Sequence, residues 1–318
     1  MSSPSKVVVA MSGGVDSSVA AALLVEQGYQ VIGMMLRLWS PPGSEEFNRC
    51  CTPEAMDRAR RVAALLDIPF YAVDARQPFH DTVVQYFLDG YLSGVTPNPC
   101  LACNRHIRWD LLLNQALTLG AEFMATGHYA IIRHHDSQPS RLYRAVDASK
   151  DQSYVLSVLE QEQLQHALFP LGEYTKQEVR QLAERFDLPV SSIKDSQDLC
   201  FLGDSTYSDF IELHAPESVH PGPIKSISGE ILGQHRGLSF YTIGQRKGLG
   251  LASPSPLYVS EKDTAENSLI VGTREQMGTS ELVTSPINWL DGFPPTAPFS
   301  ALLKISYTSD FFPPDVDL

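Results

Sequence analysis

Positive charge is in deficit in this chain. Its 318 residues carry 24 Lys and Arg against 37 Asp and Glu, a formal net charge of −13. That balance excludes a broadly basic nucleic-acid binder, whose footprint is a positive field, and leaves room for a local basic patch. Long apolar runs are missing: none reaches the roughly 18 residues at which a membrane helix is read, so no membrane span is expected. Cysteine is sparse and odd in number, five in all, which does not fit an extracellular disulfide framework. There is no internal repeat and no low-complexity tract. Neither G-x-x-x-x-G-K-[ST] nor G-x-G-x-x-G occurs, which removes the Walker loop and the dinucleotide fingerprint. Met1-Ser-Ser-Pro-Ser-Lys6 leads straight into an apolar run. That leaves no room for a secretory leader, and a cytoplasmic, monomeric protein is expected.

What is present starts with a soluble globular composition, 43% hydrophobic and 19% charged, in a chain long enough for two or three domains. The apolar run Val7-Val8-Val9-Ala10-Met11 precedes Ser12-Gly13-Gly14-Val15-Asp16-Ser17-Ser18, and a helical stretch then runs to Gly28. Strand, glycine loop and helix N-terminus in that order make an anion site, because the N–H groups converge and the helix dipole favours negative charge. Two glycines allow the backbone to approach a phosphate closely. S-G-G-x-D-S resembles the PP-loop of ATP pyrophosphatases, enzymes that split ATP between its α- and β-phosphates and adenylate a substrate.

The first two hundred residues alternate strand and helix. Strands are expected at Val7–Met11, Gln30–Leu36, Pro69–Val73 and Phe123–Thr126. Helices are expected at Ser17–Gln27, from Thr52-Pro53-Glu54 through Leu66, at Asp81–Leu92, at Arg105–Leu119, and from the capping box Thr175-Lys-Gln-Glu178. This alternation implies an α/β fold with a parallel sheet, helices on both faces and ligands at the carboxyl strand ends. The Ser12 loop, the end of the second strand, Asp74 and Gly127-His128 would converge there. After about residue 205 the chain turns β-rich. Turns are expected at Pro221-Gly-Pro223, Ser228-Gly229-Glu230 and Gly248-Leu-Gly250, with β-prone runs at Leu238–Ile243, Leu257–Val259 and Leu269–Val271. A linker near Gly272–Pro286 and a last β-like stretch, Ala301–Tyr307, follow. The expected divisions are 1–205, 206–275 and 276–318.

The cysteines fall at Cys50-Cys51, Cys100-x-x-Cys103 and Cys200. Cys100 and Cys103 lie in the proline-rich Thr96-Pro97-Asn98-Pro99 loop before a helix whose first turn carries Arg105, His106 and Arg108. A helix N-terminus and nearby cations lower a thiol's pKa, and the thiolate is the reactive form. C-x-x-C by itself reads equally as a redox pair, half of a metal site, or chance. Cys100, Cys103 and Cys200 make three thiolate ligands, short of a closed zinc site and suited to a cluster with an open position.

A set of motifs then resembles one family, the bacterial-type tRNA-uridine 2-sulfurtransferases (MnmA family). The carriers are Met11–Ser18, Thr96-Pro-Asn-Pro99 with Cys103-Asn104, Thr126-Gly-His-Tyr129, Lys150-Asp-Gln-Ser-Tyr154 and Leu168-Phe-Pro-Leu-Gly172. Lys194-Asp-Ser196 with Cys200-Phe201, and Tyr241-Thr-Ile-Gly-Gln-Arg-Lys-Gly-Leu-Gly250, complete the set. The resemblance implies a PP-loop adenine-nucleotide α-hydrolase-like domain, a small central β-rich domain and a C-terminal β-barrel. It implies ATP with Mg²⁺ on Ala10, Met11, Ser12, Gly13, Gly14, Val15, Asp16 and Ser17, with Leu36 and Gly127 beside the adenine. Attack of the wobble uridine's 2-oxygen on the α-phosphate would adenylate the tRNA. Cys200 would carry a persulfide from a sulfur-relay or cysteine desulfurase protein. Cys103 would act as the nucleophile that releases the sulfur or closes a Cys103–Cys200 disulfide. Lys194 and Asp195 would orient the Cys200 loop. Asn98, Pro99 and the residue at Cys100 would meet the base, and His128, Lys150, Asp151 and Gln152 the tRNA. Arg246-Lys247, with Arg236, reads equally as a basic turn or a phosphate contact.

Two departures from the family pattern stand out. The family often has Asp where this chain has Cys100, so an acidic base contact is exchanged for a third thiol, and a [4Fe–4S] cluster on Cys100, Cys103 and Cys200 stands beside the persulfide route. The C-terminal stretch Ser306–Leu318 has Asp310, Asp315 and Asp317 and no basic residue. The barrel therefore reads as truncated, with weaker tRNA binding expected.

Overall fold

The computed structural model describes residues 4–41, 51–135, 137–191, 193, 199–203, 205–278, 281–284, 287–305, 311–313 and 315–316. Strand β1 (Lys6–Ala10) is built on Val7, Val8 and Val9, each 0% exposed. A strand covered on both faces needs such a continuous β-branched run. It leads through the Ser12 loop into α1 (Val15–Glu26). That helix is apolar nearly all round because it lies between the sheet and other helices. Next come β2 (Gln30–Arg37), α2 (Pro53–Leu65) and β3 (Phe70–Asp74). The α2 start follows the sequence rule, with Thr52 Oγ1 accepting from Ala55 N at 3.0 Å and proline in the first turn.

The next helix begins at α3 (Arg76–Phe79), passes through a π-helical turn (His80–Val84) and continues as α4 (Gln85–Leu92). It therefore starts well before Asp81, since Pro78 falls in the first turn, where its missing N–H costs nothing. A second such helix begins at α5 (Pro99–Ala102), widens into a π-helix (Cys103–Leu112) and ends as α6 (Leu113–Thr118). Cys100 and Cys103, expected on a loop, thus lie within helix. Asn98 is the cause: its Oδ1 accepts from Cys100 N at 3.1 Å and starts the helix there. Strand β4 (Phe123–Ala125), the hairpin β5 (Ala130–His135) and β6 (Gln138–Arg144), α7 (Gln161–Gln165), β7 (Ala167–Leu168) and α8 (Lys176–Arg185) complete this part.

The main sheet is parallel, in the order β3-β2-β1-β4-β7. The chain fills one side of β1 and then crosses to the other at β4, so the switch point lies between the carboxyl ends of β1 and β4. That is where open α/β sheets bind ligands. One core cluster packs α1, α2 and α8 on one face. Another packs Trp109, Leu112, Leu113 and Leu156 on Val8 and Met124.

The later chain holds α9 (Tyr207–His214) and a four-stranded sheet of β8 (Gly222–Ser226), β9 (Ile231–His235), β10 (Tyr258–Asp263) and β11 (Ser268–Gly272), in the order β10-β11-β8-β9. Two expectations are corrected here. Gly222 and Pro223 belong to β8 rather than to a turn. The run Leu238–Ile243 is a short 3₁₀ turn (Leu238–Phe240) and bends rather than a strand. Its carbonyls are taken up locally, with Tyr207 Oη donating to Phe240 O at 2.6 Å and Lys262 Nζ to Tyr241 O at 3.1 Å. Further on, β12 (Phe299–Ser300) pairs with β13 (Asp315–Val316), and Leu303 bridges to Phe312. The stretch expected as a strand from Ala301 shows that single bridge among its described residues. An apolar cluster of Phe79, Phe87, Phe201, Phe210, Ile224 and Val271 joins α3–α4 to the small sheet.

Candidate active site

The Ser12 loop is held in shape by its own groups and by two close approaches. Ser12 N donates to Ser17 Oγ at 3.1 Å, and Ser18 Oγ donates to Gly14 O at 2.8 Å. Gly13 has φ of +73°, and a Cβ there would lie 2.2 Å from Ala55 O. A Cβ on Gly127 would lie 2.8 Å from both Asp16 C and Ser17 N. No side chain fits at either position, so α2 and the β4 end press directly on the loop. Arg58 Nε donates to Gly13 O at 3.1 Å from below. Met11 is buried and Val15 seats the helix start, whereas Ser12 faces solvent. Ala10 and Leu36 are half-buried at the carboxyl ends of β1 and β2. Asp74, at the end of edge strand β3, is held by Arg76 Nη2 at 2.6 Å, and that guanidinium keeps its carboxyl below the usual range. It stands two strands from the loop.

Asp16 is gripped from across the fold. Lys176 Nζ donates to its two oxygens at 2.7 and 2.9 Å, and Tyr129 Oη donates to Oδ1 at 2.9 Å. Lys176 N in turn donates to Asp147 Oδ2 at 3.0 Å. Lys176, Tyr129, Asp147 and Arg58 received no role from the sequence. One signal was available for Lys176. It is the first residue of α8, where the helix dipole disfavours a cation unless an anion faces it.

His128 is 6% exposed. Its Nδ1 lies 2.7 Å from Thr126 Oγ1, and Arg108 Nη1 donates to Nε2 at 3.2 Å. An arginine can only donate, so Nε2 is bare and the proton sits on Nδ1. Burial first, and Arg108 second, hold the ring neutral, well below the ordinary imidazole range. His128, expected to contact the tRNA, lies inside the fold with both nitrogens engaged.

Asp151, also expected to meet tRNA, binds its own turn, accepting from Ala145 N and Ser153 Oγ at 2.9 Å. Gln152 Oε1 accepts from Tyr129 N at 3.0 Å, and Gln152 N donates to Tyr129 O at 2.8 Å. The segment thereby clamps the residue whose hydroxyl holds Asp16. Lys150 is half-buried on the turn that Asp147 closes.

Cys100 is exposed, and Cys51, Cys103 and Cys200 are half-buried. Cys103, Cys200 and Cys51 pack against the same apolar cluster, and Phe201 anchors the end of the Cys200 loop by edge contacts to Phe79, Phe87 and Phe210. Cys100 is exposed, Pro99 is buried, and Asn98 spends its side-chain oxygen on the helix cap. Asn104, 3% exposed, donates to Cys100 O at 3.0 Å. The donor set therefore does not fit a cluster. Cys100 faces solvent while Cys103 faces the apolar cluster, and among the described residues no three His, Cys, Asp or Glu side chains are grouped to hold a metal ion. Cys50, Lys194 and Asp195 lie outside the described residues. Among the described residues no helix is long and apolar enough to cross a membrane.

Comparison with known proteins adds a second kind of observation. Residues 5–204 match a family model described as a tRNA methyl transferase HUP domain, and residues 208–273 one described as a tRNA methyl transferase PRC-barrel domain. A tRNA-specific 2-thiouridylase MnmA from Magnetococcus marinus is 49% identical over 311 residues, 97% of this chain and 87% of that protein. One from Moorella thermoacetica is 51% identical over 288 residues, 89% of this chain and 80% of that protein.

Proposed function

The chain belongs to the tRNA-specific 2-thiouridylase family, and from that premise we propose that it is a tRNA sulfurtransferase that uses ATP to replace the 2-oxygen of the wobble uridine with sulfur. The observation that carries this reading is the Ser12 loop at the β1/β4 switch point, pressed into shape by Gly127, on a sheet whose β1 and β4 pack against the helix that carries Cys103. The matched models are described by methyl transfer, whereas the relatives are named for thiolation. Cys103 and Cys200, which with Cys51 border one apolar cluster, support sulfur chemistry.

ATP enters as its Mg²⁺ complex. Loop and first-turn N–H groups of α1 take its phosphates, with the helix dipole opposing their charge. The uridine 2-oxygen attacks the α-phosphorus and pyrophosphate leaves. The activated C2–O bond now has AMP as its leaving group. The terminal sulfur of a persulfide on Cys200 attacks C2, and AMP departs. The Cys103 thiolate attacks Cys200 Sγ in the resulting Cys200–S–S–C2 link. The S–S electron pair passes to the transferred sulfur, giving 2-thiouridine and a Cys103–Cys200 disulfide, which an external dithiol reduces, itself becoming a disulfide, before the next turnover. The persulfide comes from a sulfur-relay or cysteine desulfurase protein.

The proposal predicts the fate of one oxygen. With a tRNA carrying ¹⁸O at C2 of the wobble uridine, the label appears in AMP, and pyrophosphate is the second product of ATP. Release of ADP and phosphate, or unlabelled AMP alongside thiolated tRNA, contradicts it.

A further inference from the structure

The segment from Ala145 to Tyr154 carries the Lys150-Asp-Gln-Ser-Tyr154 motif, yet Asp151 and Gln152 spend their side chains inside the fold. We propose that this segment floors a site for one nucleotide of the tRNA. Tyr129 is the positioning residue that ties that site to the ATP loop, so that each substrate tightens the binding of the other; the inference rests on the thiolation reading above.

The tie is a closed circuit of hydrogen bonds. On one side Gln152 holds the Tyr129 backbone twice: its Oε1 accepts from Tyr129 N at 3.0 Å, and its own N–H donates to Tyr129 O at 2.8 Å. Tyr129 is 2% exposed, and its hydroxyl reaches Asp16 Oδ1 at 2.9 Å. On the other side Asp147 Oδ2 accepts from Lys176 N at 3.0 Å, and Lys176 Nζ returns to Asp16 at 2.7 and 2.9 Å. The segment between these arms is braced. Asp151 Oδ1 accepts from Ala145 N at 2.9 Å, Asp147 Oδ1 accepts from Ser149 Oγ at 2.6 Å, and Val146 N donates to Gly172 O at 3.0 Å. A braced segment anchored at two points shifts as a unit. Its shift moves Tyr129 or Lys176, and with them the carboxylate in the first turn of α1, whose N–H groups take phosphate.

The same segment lines a cavity of about 450 Å³, within the range of about 300–1,000 Å³ in which small ligands are held. Ser149 and Asp151 face it from the segment, with Arg144, Tyr154, Lys304 and Phe311 around it. Arg144 Cζ lies 4.7 Å and Lys304 Nζ 5.4 Å from the centre of the Phe311 ring. Two cations and two aromatic rings are the groups that take a backbone phosphate and a stacked base. They meet here in a chain of net charge −13. The cavity also supplies two arrangements. Arg144 Nε lies 3.7 Å from Asp151 Oδ2. A phosphate competes with Asp151 for that guanidinium, and Asp151 is the residue that braces the segment. Occupation of the cavity is thereby felt at Asp16.

The test measures binding by the full chain, using a tRNA with a wobble uridine and an ATP analogue carrying methylene between its α- and β-phosphorus. In wild type the analogue is expected to tighten tRNA binding by about fivefold or more, and tRNA to tighten analogue binding by the same factor. Tyr129→Phe keeps the ring and loses the bond to Asp16. Its coupling is expected to fall below about twofold, with tRNA affinity in the absence of nucleotide unchanged. Lys304→Gln is expected to weaken tRNA binding and flatten its log–log salt slope by about one unit, with analogue affinity unchanged. Wild type without coupling overturns the inference, and so does Tyr129→Phe with the full wild-type coupling. Lys304→Gln that binds tRNA as wild type does, or that loses analogue affinity instead, overturns the assignment of the cavity to RNA. Should Tyr129→Phe fail to fold, Gln152→Ala is expected to lose the coupling, and wild-type coupling in that variant contradicts the relay. Wild type that shows the coupling yet forms no thiouridine refutes the function reading and supports the relay, which keeps the two failures apart.

Discussion

Lys176 ties the loop to α8 through Asp16. Its ammonium meets Asp16 across 160 residues of sequence, at 12% exposure. Removing it leaves a partly buried carboxylate facing the place where triphosphate must bind. Lys176→Met should therefore weaken ATP–pyrophosphate exchange by about ten- to a hundredfold, or about 1.4–2.8 kcal/mol, with Lys176→Arg recovering part of it. Exchange at the wild-type rate in Lys176→Met would deny the ion pair a role. This contact shows where sequence reading stops. The Ser12–Ser18 loop is legible because its strand, glycines and helix start are contiguous in the chain. Lys176 and Arg58 reach the loop through folding over long separations, and their local surroundings read as an ordinary helix start and helix face.

At the scale of elements, the loop is shaped by what presses on it. Gly127→Ala would push a Cβ into the backbone at Asp16 and Ser17, a clash that costs about 1–3 kcal/mol and displaces the phosphate-binding N–H groups. Gly28→Ala meets open space at φ of +86°, so it should cost about 1 kcal/mol of stability through backbone strain. Thermal melts together with pyrophosphate exchange separate the two. Gly28→Ala should lower the melting temperature and retain exchange, and Gly127→Ala should lose exchange. The alternating strands and helices were readable from periodicity and caps. The helix that begins at Pro99 was less so, because Asn98 is a cap whose role shows once its Oδ1 is seen on Cys100 N. The run Leu238–Ile243 has strand-forming residues, yet among the described residues no partner strand reaches it, and Tyr207 and Lys262 take its carbonyls instead. Propensity yields to tertiary context there.

At the scale of the whole molecule, the small sheet and the nucleotide-binding part share one apolar cluster, with Lys262 set into it. Lys262 is 9% exposed, its Nζ lies 3.1 Å from Tyr241 O and 5.6 Å from the Tyr91 ring centroid on α4, and burial pulls its pKa down to about 8. The unfolded chain holds this proton up to about 10.4. Between about pH 8 and 10 the unfolded state therefore binds more protons, and folding stability rises with pH. Wild type should gain on Lys262→Met by up to about 3 kcal/mol as pH is raised from 7 to 10, read by denaturant unfolding at each pH. A difference that stays flat would mean the ammonium is solvated in the folded state. His128 and His235 act at the other end of the scale. Burial lowers both pKa values, so stability falls as pH drops below about 6.5, where the unfolded imidazoles take up protons that the folded ones do not.

The central claim is that the loop and the two thiols form one sulfur-inserting site. Nucleoside mass spectrometry of tRNA after incubation with ATP and a persulfide source tests it most directly, with wild type, Cys103→Ser and Cys200→Ser side by side. The account predicts ATP-dependent 2-thiouridine at the wobble position with wild type and none with either variant, both of which still bind ATP. Thiouridine formed by Cys103→Ser or Cys200→Ser, or a methylated uridine in place of a thiolated one, would contradict it.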